Sequence, residues 1–337
     1  MKLIERQIFN PEGTDDMESR MLVGGTPTGI ANLNSVKYKW ASNLYKIMVN
    51  NFWIPEKVSL VDDRVTLKEL TADEMSALKN TLSFLIALDS MQTANLPKLA
   101  DYITAPEVQS LFTIQAFQEL IHSQSYQYIL QELFPTLDRD EIYNYWRTNP
   151  KLLVRNKFIA DKYNRFNDDK SLENFKIALA ADFALEGIYF YNGFNYFYQL
   201  ASRNKLPNTS KIIKYIENDE ATHVSMMSYL IKDIFDMNSD SDKKILVDTL
   251  MEAAEQEIDW GKAVYGDRIL GISEMSTESN VKYLANQRAK VVGLGIIYKG
   301  FTENPYAHLK QEKKENFFET AVTEYSQSTA VSGWDSF

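Results

Sequence analysis

The sequence predicts an all-α protein, a bundle of long helices, on three observations. Apolar residues recur at helical spacing over runs of more than ~25 residues, well beyond the usual length of a globular helix. The connections are short and carry helix breakers, among them Pro106, Pro135, Pro207 and Gly266. No stretch of useful length alternates as a half-buried strand would, and no fixed-period repeat is present.

Taken in order, residues 1–35 are polar and punctuated by "GGTPTGIANLN", which predicts an extended, flexible N-terminal arm. From about residue 36 the pattern turns helical with "VKYKWASNLYKIMVNNFW", followed by a loop carrying Pro55. Thr71 and Glu74 in "TADE" form a capping box that opens an apolar-periodic run to about residue 101. Further runs cover about 106–134, 139–165, 171–204, 210–236, 242–265 and 277–292. The end, "AVTEYSQSTAVSGWDSF", is small and polar and reads as a mobile tail. The expected organisation is an arm over 1–35, a helical domain over 36–310 and a tail over 311–337.

Composition narrows the function classes. A hydrophobic content of 45% in 337 residues is ample for a buried core. A net charge of -10 argues against nucleic acid as the main partner, since phosphate binding needs clustered Lys and Arg. No apolar run approaches the ~18 residues of a membrane span. The start, "MKLIERQIFNPEGTDD", has no apolar signal core, so a cytoplasmic protein without membrane attachment is expected. There is no cysteine, which excludes disulfides, thiolate metal sites and any thiol chemistry by this chain itself.

The chemistry is carried by two of the three histidines. In "QAFQELIHSQSYQYIL" Glu119 precedes His122 by three and Tyr126 follows it by four; in "YIENDEATHVSMM" Glu220 precedes His223 by three. By composition a histidine finds a glutamate at that spacing roughly one time in fourteen, so the double occurrence is informative. Positions i and i+3 share a helix face, so each pair offers one carboxylate and one imidazole to one point in space. Bundles with two-metal carboxylate sites use two such pairs plus one carboxylate from each of two further helices. Asp89 in "FLIALDSMQTANL" and Glu186 in "AADFALEGIYFYNGF" stand at the apolar centres of suitable runs, where an unpaired acid is costly. Alone, a Glu-x-x-His pair is ordinary helix surface, and either acid alone is a buried partner of a Lys or Arg. Together, in the order Asp, Glu-x-x-His, Glu, Glu-x-x-His, they read as ligands of two metal ions. Four carboxylates balance two divalent ions, and neutral histidines complete the shell. Oxygen and imidazole donors suit di-iron and di-manganese alike.

These motifs resemble the small, radical-generating subunit of class I ribonucleotide reductase over roughly residues 36–325. "LDSMQ", "ELIHSQSY", "LEGIYFYNGF" and "NDEATH" match its four ligand segments, giving Asp89, Glu119, His122, Glu186, Glu220 and His223 as metal ligands. The resemblance implies a ferritin-like bundle, a homodimer, and activity only with a large catalytic subunit that reduces ribonucleotides to deoxyribonucleotides. It places the radical tyrosine on Tyr126, the first residue of the radical-transfer path on Trp53 of "FWIPE", the acid linking that tryptophan to His122 on Asp219, and the tail's redox tyrosine on Tyr325 of "FFETAVTEYSQ". Phe190, Phe194 and Ile216 fall where the family keeps an apolar pocket around the radical. Tyr126 lies seven residues after Glu119, about 20° short of two turns, and so shares the ligand face. Some family members carry phenylalanine there with a mixed manganese–iron site, and Tyr126 argues against that subgroup. Two other classes share such a site. A ferritin-like store is generally about half this length, and a ligand-binding oxidase or dimetal monooxygenase has no use for Tyr126, Trp53 and the "EYSQ…GWDSF" tail.

Overall fold

A computed structural model describes residues 1–310 of the chain. Met1–Asn304 form one compact unit, which starts earlier and ends sooner than the 36–310 expected from composition. A second unit begins at Pro305, and its described part holds a short 3₁₀ turn, Ala307–Lys310. Tyr325 and the rest of the tail lie outside the described residues.

The described residues hold helices and no strand beyond two isolated bridges. In chain order the helices are α1 (Lys39–Asn50), α2 (Val61–Thr66), α3 (Ala72–Ala100), α4 (Pro106–Leu133), α5 (Thr136–Thr148), α6 (Pro150–Asp168), α7 (Leu172–Ala184), α8 (Phe190–Ala201), α9 (Pro207–Ile234), α10 (Asp240–Val264) and α11 (Glu274–Val291). Helix α3 packs along α4, α9 packs against α4, α7 and α8, and the buried faces merge into one core.

The capping box is as expected. Thr71 Oγ1 accepts the Glu74 N–H at 3.2 Å, and Glu74 Oε2 accepts the Thr71 N–H at 2.9 Å. Glu74 also pairs with Arg203 and Lys205, fixing the start of α3 to the end of α8. Burial raises the Glu74 pKa, but the hydrogen bonds from Lys205, the Thr71 backbone and Arg203 outweigh it and hold it at about 2. An acid depressed in the folded state contributes stability above its ordinary value near 4.5, and that stability is lost as pH falls toward 2. Glu74→Gln should therefore be less stable than wild type at neutral pH, with the gap closing as pH drops from about 5 to about 2 in urea unfolding. A gap independent of pH would show that the charge of Glu74 contributes nothing.

Two long runs are interrupted. The expected helix over 139–165 is two helices broken between Asn149 and Pro150. Pro150 disfavours helical backbone at the residue before it, and Asn149 sits at φ -84°, ψ 116°. Its side chain then caps α6 by accepting the N–H of Lys151 and Leu152. The expected helix over 171–204 is divided by a π-helical turn, Leu185–Tyr189, between α7 and α8. A π turn shifts every later side chain around the axis, and such turns are frequent at functional sites. Arg288 of α11 donates from Nε to the Gly187 carbonyl at 3.0 Å. A Cβ on Gly187 would lie 2.5 Å from that same Nε, so the close approach requires glycine.

The arm has no regular structure, yet it carries anchors that its composition did not disclose. Leu3, Leu22 and Val23 are buried, and Arg20 makes a buried ion pair with Glu107 at 3.1 Å. Leu3 donates its N–H to the Lys170 carbonyl, and Thr104 donates to that of Leu22.

Candidate metal centre

Four elements bring the six expected ligands together: α3 supplies Asp89, α4 Glu119 and His122, the π turn Glu186, and α9 Glu220 and His223. All six side chains are fully buried. Their donor atoms form two overlapping groups, each within 4.8 Å: Asp89, Glu119, His122 and Glu220 in one, Glu119, Glu186, Glu220 and His223 in the other. Glu119 and Glu220 belong to both. His122 Nδ1 stands 3.4 Å from Glu119 and 3.2 Å from Glu220, and His223 Nδ1 stands 3.2 Å from Glu119 and 2.9 Å from Glu220.

Among the described residues no Lys or Arg forms an ion pair with any of the four acids. Both oxygens of Asp89 and of Glu119, Oε2 of Glu186, Oε1 of Glu220 and Nδ1 of His122 are buried without a hydrogen-bond partner. Four negative charges in a dry core are untenable without cations. In the metal-free cluster, protons take that role. Burial and the neighbouring Glu119 raise Asp89, and burial with Glu186 and Glu119 raises Glu220. Burial disfavours charge on His122 and His223, but the surrounding carboxylates outweigh it and raise both. Glu119, which burial alone would raise, is held at about 2 by the two histidines. Orphaned oxygens, imidazole nitrogens and missing cationic partners all fit a pair of metal ions.

The outer atoms of both rings are oriented by hydrogen bonds, as metal-binding histidines require. His122 Nε2 meets Asp219 Oδ2 at 3.2 Å, and His223 Nε2 meets Gln118 Oε1 at 3.0 Å. Gln118 Nε2 donates to Asp219 Oδ1 at 2.9 Å, so one carboxylate orients both histidines. Half-buried Trp53 donates Nε1–H to Asp219 Oδ2 at 2.8 Å, and its ring lies 6.3 Å from that of His122. The expected series Trp53, Asp219, His122 is therefore continuous in space. A cavity of about 230 Å³ borders Trp53, Asp219 and Gln118.

Tyr126 is fully buried, and burial followed by the neighbouring Asp89 carboxylate, with which its hydroxyl interacts, raises its pKa strongly. Phe190, Phe194 and Ile216 are also fully buried. Sequence reasoning missed the glutamines. Gln115 donates to Glu186 Oε1 at 2.8 Å, and Gln92 donates to the same oxygen and to Asp182. The available signal was spacing: Gln92 follows Asp89 by three and Gln115 precedes Glu119 by four, so both share a ligand face.

The sequence pattern described as "Ribonucleotide reductase, small chain" matches residues 30–305. The chain belongs to the small-chain family of ribonucleotide reductases. It is 40% identical to the ribonucleoside-diphosphate reductase subunit beta of Treponema pallidum (strain Nichols), over 98% of this chain and 97% of that protein. Among solved structures, the ribonucleotide reductase R2 subunit from Clostridium botulinum superposes with a TM-score of 0.89 at 40% identity, covering 92% of this chain and 98% of that one. A putative class I ribonucleotide reductase from Bacillus halodurans gives 0.79 at 36% identity, covering 81% and 99%. The expected all-α, ferritin-like fold is the one found. The protein is a small subunit of class I ribonucleoside-diphosphate reductase, and its buried carboxylate–histidine cluster fits the dimetal site of such a subunit. No helix among the described residues is long and apolar enough to cross a membrane.

Proposed function

We propose that this small subunit generates a radical, stores it on Tyr126 and passes the oxidising equivalent to a large catalytic subunit that reduces ribonucleotides. The carrying observation is the fully buried set of four carboxylates and two imidazoles, paired with no Lys or Arg among the described residues and joined through Asp219 to Trp53. Asp89 and His122 would hold one metal ion and Glu186 and His223 the other, with Glu119 and Glu220 shared. Iron and manganese both suit these donors. When bound, the two ions supply the redox chemistry that activates an oxygen species.

The chain's own residues do the rest. Tyr126 gives up one electron and its hydroxyl proton, and the Asp89 carboxylate beside it would accept that proton. The enclosure keeps water and reductants from the phenoxyl radical. Trp53 begins the outward path because Asp219 both accepts its indole proton and places negative charge against the oxidised ring. Tyr325 continues the path from the tail, and Trp334 and Phe337 anchor the tail on the partner. The large subunit supplies the reducing cysteines, since this chain has none. The family resemblance supports a cytoplasmic homodimer without nucleic-acid or membrane partners.

The test is metal analysis and electron paramagnetic resonance on protein from its native host, with Tyr126→Phe beside wild type. That change removes one hydroxyl, so fold and metal content should survive while the tyrosyl signal disappears. A signal unchanged in Tyr126→Phe would place the radical elsewhere. Normal turnover without any tyrosyl signal would make the metal pair the stored oxidant.

A further inference from the structure

A ladder of aromatic rings runs through the buried core from Phe194 to Tyr196. Phe194 and Phe190 lie 6.1 Å apart by ring centroids, Phe190 and Phe84 6.3 Å, Phe84 and Trp260 4.9 Å, Trp260 and Tyr265 5.6 Å, and Tyr265 and Tyr196 5.5 Å. Phe190 and Phe194 follow Glu186 by four and eight residues, so the ladder starts within two turns of a ligand. Trp260, Tyr265 and Tyr196 are its oxidisable rungs, and the three phenylalanines before them are packed rings across which an electron can tunnel. Left open, the ladder would drain Tyr126 away from Trp53: the phenoxyl radical would take one electron from Trp260 and take back from Asp89 the proton it gave up, returning to a phenol and leaving an indole radical cation.

The ladder carries a cation at that step. Arg155 is fully buried, and its guanidinium carbon lies 3.9 Å from the Phe84 ring centroid, 4.1 Å from that of Tyr189 and 4.5 Å from that of Trp260. It pairs with buried Glu257, which also accepts Asn192 Nδ2–H at 2.8 Å. Burial lifts Glu257 to about 7, although Arg155 and Asn192 pull it down. Trp260 Nε1 is buried without a hydrogen-bond partner, which leaves no acceptor for its proton if the ring is oxidised. The side branch from Phe194 has the same device: Tyr191 lies 6.0 Å from Phe194, and Arg288 sits 4.8 Å from its ring.

Trp53 is the opposite case. Its Nε1–H has an acidic acceptor, Asp219, and among the described residues no Lys or Arg lies over its ring. A cation against a π face is attracted to the ring's electrons and resists their removal, most strongly where both are desolvated. We infer that Arg155, clamped by Glu257 among Phe84, Tyr189 and Trp260, closes this ladder to oxidation and so directs the oxidising equivalent toward Trp53. This rests on the reading of Tyr126 as the radical site. Arg155 is a positioning residue for charge, with no contact to the ligands required of it.

The test uses full-length, metal-loaded protein. Arg155→Met with Glu257→Gln removes both charges and keeps an acceptor for Asn192; Arg155→Lys keeps the positive charge. Melting temperature and metal content verify each variant. The charge-free variant should lose its tyrosyl signal roughly thirtyfold faster, the scale of one desolvated cation–π contact. A tryptophan signal should grow as it decays and vanish on adding Trp260→Phe, while Arg155→Lys should keep a lifetime near wild type. A folded, metal-loaded, charge-free variant with wild-type lifetime would overturn the inference, as would Arg155→Lys decaying as fast as that variant. If the charge-free variant does not fold, Trp260→Phe alone decides: its lifetime should equal wild type, and a longer one would mean that the ladder leaks. If wild type shows no tyrosyl signal, the reading of Tyr126 fails separately. Arg155 is then judged in metal-free protein by oxidation with azide radicals and peptide mapping, where Trp260 should be spared in wild type and modified in the charge-free variant. Equal modification in both would overturn it.

Discussion

Replacing Glu119 and Glu220 together by alanine should empty both metal positions. These two carboxylates are the only acids common to both donor groups, so each position loses two of its four donors at once. Each would keep one acid and one histidine, Asp89 with His122 and Glu186 with His223, too few to hold a divalent ion against water. Metal analysis after dialysis should give close to zero ions per chain, against two for wild type. Full occupancy in this double variant would refute the ligand assignment.

Trp53→Phe should abolish deoxyribonucleotide formation while leaving metal content and the tyrosyl signal in place. Phenylalanine fills most of the indole's space, but it is far harder to oxidise and cannot donate to Asp219. Asp219 keeps its contacts with His122 and Gln118, so the orientation of both histidines should persist. The informative combination is an intact radical with turnover at background when the cognate large subunit is supplied. Asp219→Ala is a poorer test, because losing the partner of a ligand histidine costs about 10–100-fold in metal affinity by itself. Turnover by Trp53→Phe within a few-fold of wild type would remove Trp53 from the path.

The six proposed ligands could be read from the sequence because helical spacing alone puts Glu119 with His122, and Glu220 with His223, on one face. Asp89 and Glu186 stood out as acids in apolar surroundings. The capping box at Thr71 was equally legible, since both its partners are local. What escaped depends on partners far along the chain. The π turn that presents Glu186 has no local sign beyond Gly187, whose need for a bare Cα arises from Arg288, 101 residues away. Gln118 is an unremarkable helix residue until α9 brings His223 and Asp219 against it. Arg20 looked like part of a loose polar arm, because Glu107, which it pairs with in the core, gives no sign in the sequence of burial. The break at Asn149–Pro150 was visible in principle, but the apolar periodicity on either side masked it.

Sharing of Glu119 and Glu220 between two ions, as proposed above, would also bear on how the site fills. A first ion at either position must displace protons from the cluster and draw both shared carboxylates toward itself. The second ion would then find Glu220 already deprotonated and both shared carboxylates ordered, so the cost of preparing the pocket would fall largely on the first arrival. Free energy spent once and used twice is positive cooperativity, and linkage makes it reciprocal between the two positions. At limiting metal supply the population should divide into empty and fully charged chains, with singly occupied ones scarce. A cell short of metal would then hold fewer competent subunits, with little of its supply idle in half-filled ones.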